Sequence, residues 1–331
     1  MRGLCKERPK PLLPLANRPA LRLTLERLAE AGVTDALVIV GHQLEKIKRC
    51  LEQRPVAGVS ISYLVQEKLN GTGGATMLAE EFAGGEHFML VFGDVIAHSA
   101  NHTRAAKLFR QGARAVLSTY DTGRPVEVGA VVVENDNVAR IAERPGSGAA
   151  SPLVSAGIFV FPPEIFEATR NLPPAPSGEH ELTGGIQKLI DEGCAIRAMP
   201  ITGFWANLTD PDALIAANEQ VRLELAEKGE KLVADSARVS PGAKVCEATP
   251  IGPDAQVADA ADIRSNVSIG RGSVVGRGCT LESCILLEGV SVGDGALIEN
   301  AIVESQSNVP PGATLKSPPG ETSIIWKTTY R

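Results

Sequence analysis

The sequence predicts an α/β domain with a Rossmann-like, mostly parallel sheet, followed by a left-handed parallel β-helix of hexapeptide repeats. Three observations carry this expectation. An aliphatic residue returns every six positions from Val239 onward, helical and apolar-strand patterns alternate before that point, and 331 residues exceed what one core usually serves.

In the repeat, Val239, Val245, Ile251, Val257, Ile263, Ile269, Val275 and Leu281 fall on one six-residue register. After a five-residue step Leu286, Val292 and Ile298 resume it, and a second short step leads to Val303, Val309 and Leu315. A six-residue period with small or polar residues between suits a triangular coil, each aliphatic pointing into a narrow prism. Such coils are stabilised by their neighbours, so the end coils need caps. The stretch from Glu321 to Arg331, with Trp326 and Tyr330, is expected to serve as one or to meet a partner.

Upstream, Leu21, Leu25 and Leu28 mark an amphipathic helix that stops at Gly32, and Ala36 to Val40 reads as a buried strand. Further strands are expected near 59–64, 87–92, 113–119, 129–133 and 153–161, and a last helix over about 211–228. The boundary is placed near 231–235, dividing the chain into 1–232 and 233–331.

Composition narrows the function. A net charge of -6 without clustered Lys and Arg argues against nucleic-acid binding. No apolar run reaches membrane-helix length, and the Pro-rich, basic opening leaves no room for a signal-peptide core, so a cytoplasmic protein without membrane contact is expected. The six cysteines show no metal-ligand spacing and read as reduced packing residues.

In open parallel sheets ligands sit beyond the carboxyl ends of the strands, which directs attention to polar residues after apolar runs. Lys10, in Arg8-Pro9-Lys10-Pro11, is a cation in a Pro-stiffened loop suited to phosphate oxygens. Gln66, followed by Gly71-Thr72-Gly73-Gly74-Ala75, offers an amide and backbone N–H groups at a helix start. Asp94 stands at a strand tip, where a carboxylate needs a cation or metal. A hairpin from Gly129 brings Glu143 to a site edge, and Asn207 is an oxygen donor before the helix that Asp210 and Pro211 open.

Taken in order, RPKPLLPLANRP, Gln66 with GTGGA, VFGDV, the ERP around Glu143, SAGIFVF, GEHELT and WANLTDP resemble the sugar-1-phosphate nucleotidyltransferases. Many of these carry a left-handed β-helix after the catalytic domain. The resemblance implies attack of a sugar 1-phosphate on a nucleoside triphosphate, releasing pyrophosphate. It further implies that Lys10 contacts phosphates, that Gln66 and Gly71, Thr72 and Gly73 read the base, and that Asp94 with Asn207 holds Mg²⁺. Gly129, Glu143 and Ser155 would line the sugar pocket. The GTGGA loop is more similar to uridylyl-transferring members than to guanylyl-transferring ones, so UTP is favoured and dTTP comes next.

This sequence departs from the family pattern at several points. Asn207 replaces the usual Asp, Arg144 a frequent Lys and Ser155 the usual Asn. Met1 to Leu4 resemble residues just after the family's opening strand and GxGxR loop, so Met1 is expected to be an internal methionine of a longer reading frame. Without that segment the sheet lacks a central strand and the site a phosphate cradle, and activity is expected to fall by orders of magnitude.

Two other functions compete with this reading. A non-catalytic regulatory or scaffold subunit is the alternative, against which Lys10, Gln66, Asp94 and Glu143 are retained. Acyl transfer by the β-helix would call for a His base, and His42, His87, His98, His102 and His180 all lie upstream. The helix is therefore expected to serve packing and assembly, giving a homo-oligomer.

Overall fold

The computed structural model describes residues 4, 8–126, 129–142, 150–175, 178–318 and 320–326. Its contacts cluster into two compact units, Arg22–Trp205 and a second that joins Met1–Leu21 to Ala206–Arg331. The chain opens with hairpin β1 (Pro14–Leu15) and β2 (Arg18–Pro19), followed by helix α1 (Ala20–Glu30), which runs into the central unit.

The central unit continues with β3 (Asp35–Val40), α2 (Leu44–Glu52), β4 (Ser60–Val65), α3 (Gly71–Met77) and α4 (Glu80–Ala83). Next come β5 (Phe88–Val91), β6 (Val95–Ala97), α5 (Ala100–Arg110) and β7 (Ala115–Val126). It ends with β8 (Ala130–Glu134), β9 (Asn137–Ala142), β10 (Ser151–Phe161), α6 (Glu164–Arg170), α7 (Leu182–Asp191) and β11 (Ile196–Pro200). Strand β10 is the spine of a six-stranded sheet ordered β5-β10-β7-β11-β9-β8. Its period-2 side chains feed two cores. Phe159 and Phe161 pack with Ile165, Phe166, Leu182 and Ile186 of α6 and α7, whereas Ile158 and Val160 pack with Ala105 of α5 and Val116. Burial on both faces explains why Gly157 to Phe161 reads as an uninterrupted apolar run.

The α/β architecture is as expected, but this sheet is mixed rather than mostly parallel. Only β7 and β11, separated in the chain by β8, β9, β10 and the helices α6 and α7, pair in parallel within it, while β5/β10, β7/β10, β8/β9 and β9/β11 are antiparallel. Connection length decides the sense: a tight turn can join only antiparallel strands, and a parallel pair needs a crossover. Asn135 and Asp136, at φ 48° and 65°, make such a turn between β8 and β9.

Strands β3 and β4 form a separate parallel pair. Ser60 N donates to Thr34 O and Gln66 N to Val40 O, so alternate residues of β3 bond to β4, while Leu37 and Ile39 direct their backbone groups to the opposite edge. By the same alternation Phe92 N donates to Gly157 O, and Met89 and Val91 face away from β10. No strand among the described residues pairs with either edge, and all four residues of β5 remain half-buried.

In the terminal unit, β12 (Trp205–Asn207) leads across the boundary to α8 (Pro211–Glu227), and the solenoid follows. Its aliphatic residues stack in three parallel columns: Val239, Val257, Val275, Val292 and Val309; Val245, Ile263, Leu281, Ile298 and Leu315; Ile251, Ile269, Leu286, Val303 and Ile325. All fourteen repeat positions named from the sequence occupy these columns. The two five-residue steps fall inside the long strands Thr280–Leu286 and Leu297–Val303, where Ser283 and Asn300 turn the corner at φ 45° and 50°. Each of these two coils is one residue shorter than those before it. At the C-terminal end Ser323–Ile325 adds a parallel strand to Ala301–Val303, giving the expected end segment a structural role.

Candidate active site

In the central unit, Gln66 directly follows β4, which places its side chain at the carboxyl end of a parallel strand. Its Nε2 donates to Asn70 Oδ1 at 3.0 Å and to Gly71 O at 3.1 Å. The Gly71 carbonyl can only accept, so the amide is fixed with Oε1 as the oxygen left for a ligand. That oxygen makes no hydrogen bond among the described residues.

The glycines that follow have a packing reason. A Cβ at Gly71 would lie 2.6 Å from His180 O, and one at Gly73 would lie 2.8 Å from the same oxygen and 2.9 Å from Thr169 Cγ2. His180 N donates to Asn70 O at 2.6 Å and Gly73 N to His180 O at 2.8 Å. The GEHELT segment is thus a wall against which the loop is laid. The Gly73 N–H, expected from the sequence to be available to a nucleotide, is spent on that wall. His180 carried no positional signal in the sequence, because its role is played by backbone atoms.

Asp94 sits half-buried in the turn between β5 and β6, where Val95 N returns to Phe92 O at 3.2 Å. Phe92 meets Phe159 edge-on at 5.4 Å between ring centroids, so the core fixes the base of the turn. Gly157, at φ 77°, lets Phe92 and Val95 approach: each would lie 3.0 Å from an added Cβ.

Two of the residues expected at the sugar are joined directly. Ser155 N donates to Gly129 O at 3.2 Å, and Gly129 adopts φ 66°. Among the described residues Ser155 Oγ is buried without a hydrogen-bond partner, as is Oγ1 of Thr119, its cross-strand neighbour on β7. Beside them Trp205 Nε1 donates to Ala156 O at 2.9 Å, and its ring stacks on Tyr120 at 4.5 Å. Thr119 and Tyr120 were not singled out from the sequence, since a strand interior gives no hint of which cross-strand residue meets Ser155. Glu143 lies outside the described residues.

Lys10 and Asn207 belong to the terminal unit. Lys10 begins a single 3-10 turn, Lys10–Leu12, with Leu12 N bonded to Pro9 O and Leu13 N to Lys10 O. Asn207 Oδ1 is buried and has no hydrogen-bond partner among the described residues. Its backbone oxygen accepts from Thr209 N at 2.7 Å. Asp210 caps α8 through Ala213 N at 2.8 Å, and that backbone donor, ahead of the Thr209 hydroxyl, holds its carboxyl below the usual range.

The donors expected for Mg²⁺ have suitable chemistry: an orphaned amide oxygen on Asn207 and a half-buried strand-end carboxylate on Asp94. Among the described residues no three His, Cys, Asp or Glu side chains gather to hold a metal. Mg²⁺ shared with substrate phosphates needs only one or two protein ligands.

A protein-family model described as "Nucleotidyl transferase" matches residues 1–224. The chain belongs to the nucleotidyl transferase family. A second model, "GMPPB C-terminal domain", covers residues 228–325, the solenoid region. The nucleotidyltransferase Agl11 of low-salt glycan biosynthesis in Haloferax volcanii is 31% identical over 72% of this chain and 67% of its own length. A glucose-1-phosphate thymidylyltransferase of Streptomyces antibioticus is 29% identical over 92% of this chain and 90% of its own. A UDP-glucose pyrophosphorylase in complex with UDP-glucose shares the fold at 19% identity and TM-score 0.55, covering 64% of this chain and 89% of that one. The family resemblance read from the sequence is therefore borne out, and this nucleotidyltransferase is of the sugar-1-phosphate class. No helix among the described residues is long and apolar enough to cross a membrane.

Proposed function

We propose that this nucleotidyltransferase joins UTP or dTTP to a sugar 1-phosphate, giving a nucleotide sugar and pyrophosphate. The observation that carries the choice of base is the fixed amide of Gln66. Its Oε1 accepts a hydrogen bond, which matches the ring N–H of uracil or thymine and mismatches adenine and cytosine, whose ring nitrogen at that edge is itself an acceptor. Guanine also offers a ring N–H, and the GTGGA loop sets the preference against it. The thymidylyltransferase relative supports the same reading.

In this mechanism a phosphate oxygen of the sugar attacks the α-phosphorus in line, the bond to the β-phosphate bridge breaks, and pyrophosphate leaves with that electron pair. No enzyme-bound intermediate is needed. Lys10 holds phosphate oxygens, Gly129, Ser155 and Glu143 orient the sugar, and Asp94 with Asn207 holds Mg²⁺. Bound there, the metal supplies neutralisation of phosphate charge; positioning supplies the rest.

Pyrophosphate release measured with each of five triphosphates (ATP, CTP, GTP, UTP, dTTP) against glucose 1-phosphate and N-acetylglucosamine 1-phosphate tests this proposal. Turnover with UTP or dTTP is expected. Strict use of GTP would overturn the base assignment, and no turnover with any pair would favour a regulatory subunit.

A further inference from the structure

The terminal unit contains a buried polar junction that the reaction as described does not use. Asn218, on α8 and fully buried, accepts from Ala16 N at 2.8 Å and from Ser268 Oγ at 2.9 Å through one oxygen. Its Nδ2 donates to Asn266 Oδ1 at 3.0 Å, and Asn266 Nδ2 donates on to Ile215 O at 3.1 Å. Asn17 adds a bond from Nδ2 to Ile269 O at 2.8 Å. Three stretches far apart in sequence, the β1–β2 turn, α8 and a solenoid corner, thus meet on one carboxamide.

The turn held there belongs to a stiff loop. Ala16 and Asn17 both have left-handed φ, 48° and 62°, and Pro9, Pro11, Pro14 and Pro19 restrict the backbone around them. Leu13 N is bonded to Lys10 O, and Ala20 N to Leu13 O, closing residues 10–20 into one piece. Leu13 and Leu15 are fully buried. A shift at Ala16 is therefore transmitted to Lys10, because little in between can absorb it.

We propose that Asn218 is a positioning residue for the transfer reaction: with the solenoid corner at Asn266 and Ser268 it sets the loop that carries Lys10. The solenoid then acts on catalysis as a template for that loop, in addition to any part in assembly. The proposal rests on Lys10 contacting substrate phosphates. An apolar residue at 218 leaves the Ala16 N–H buried and unpaired, and relief of that penalty displaces the loop.

The test is a double-mutant cycle on the full chain, with kcat and KM for the triphosphate measured for wild type, Asn218→Ala, Lys10→Ala and the pair. Asn218→Ala is expected to lower kcat/KM by about tenfold beside an intact Lys10, the size of an unsatisfied buried donor. In the Lys10→Ala background it is expected to change little. Equal losses in both backgrounds would overturn the proposal. If Asn218→Ala does not fold, Asn17→Gly keeps the left-handed turn, removes only the bond to Ile269, and takes its place in the cycle. Amide exchange of residues 9–20 provides an arm independent of activity: exchange about tenfold faster in the variant is expected, with solenoid peptides unchanged, and unchanged exchange in 9–20 refutes the positioning. If Lys10→Ala costs nothing, or the wild type releases no pyrophosphate, the assigned reaction fails while the exchange result still decides the positioning.

Discussion

Replacing Gly73 by Ala sets two effects of opposite sign against each other. Helix propensity alone favours Ala over Gly inside α3 by about 1 kcal/mol. Against this, the new Cβ would stand 2.8 Å from His180 O, 2.9 Å from Thr169 Cγ2 and 3.1 Å from the Glu181 carbonyl carbon. Two of these three atoms are backbone, and the third belongs to a Thr packed inside α6, so the loop must move as a whole. Overpacking of this kind costs roughly 1–3 kcal/mol, and weakening the Gly73 N to His180 O bond adds about 1 kcal/mol. The expected net is a loss of about 1–3 kcal/mol from the central unit, which in urea lowers the midpoint by roughly 0.5–1.5 M. The chain has two tryptophans, Trp205 in the central unit and Trp326 in the other, so fluorescence of Trp205 in a Trp326→Phe background reports on the relevant unit. A midpoint that stays or rises would show that the GEHELT wall does not constrain the loop. The KM for the triphosphate should rise in the same variant, because Gly71 O helps to orient Gln66.

The solenoid offers an internal comparison: Leu281→Ala, at a fully buried position, should cost about 2–5 kcal/mol, whereas Val239→Ala, 38% exposed in an end coil, should cost under about 1 kcal/mol. Similar costs in thermal or urea unfolding would contradict the neighbour-stacking account. Asp210→Ala should destabilise α8 by about 0.5–2 kcal/mol through loss of the cap to Ala213. Since the folded state lowers the Asp210 pKa, its contribution is complete above the ordinary carboxylate range and is lost progressively as pH falls from that range through the lowered folded-state pKa. Unfolding midpoints at pH 7 and pH 3 test this, and a difference between wild type and variant that persists undiminished at pH 3 would refute it.

The solenoid was the most legible part of the chain because its register is local: each aliphatic residue from Val239 to Leu315 announces its own position, and even the five-residue steps have a counterpart in the corners at Ser283 and Asn300. The α/β alternation was legible for the same reason. Strand sense was harder to read, since β10 reads as an apolar run whether its neighbours are parallel or antiparallel, and only the connections to β7 and β5 decided it. Among the site residues, Gln66, Asp94 and Asn207 were visible as polar groups following apolar runs, whereas Ser155 came only with the family resemblance. That Gln66 has one oxygen left to offer, that Gly73 has no free N–H, and that Ser155 faces Thr119 depended on partners up to 107 residues away in the chain, Gly73 and His180 being the farthest pair.

Local pattern and composition were thus enough to determine the repeat, the class of domain before it and the order of the chemical groups. The tertiary structure alone decided which of those groups are already committed to one another. A hydrogen bond such as Ala16 N to Asn218 Oδ1 leaves no periodic trace in the sequence, because its two ends are placed by separate elements and meet only when both have folded.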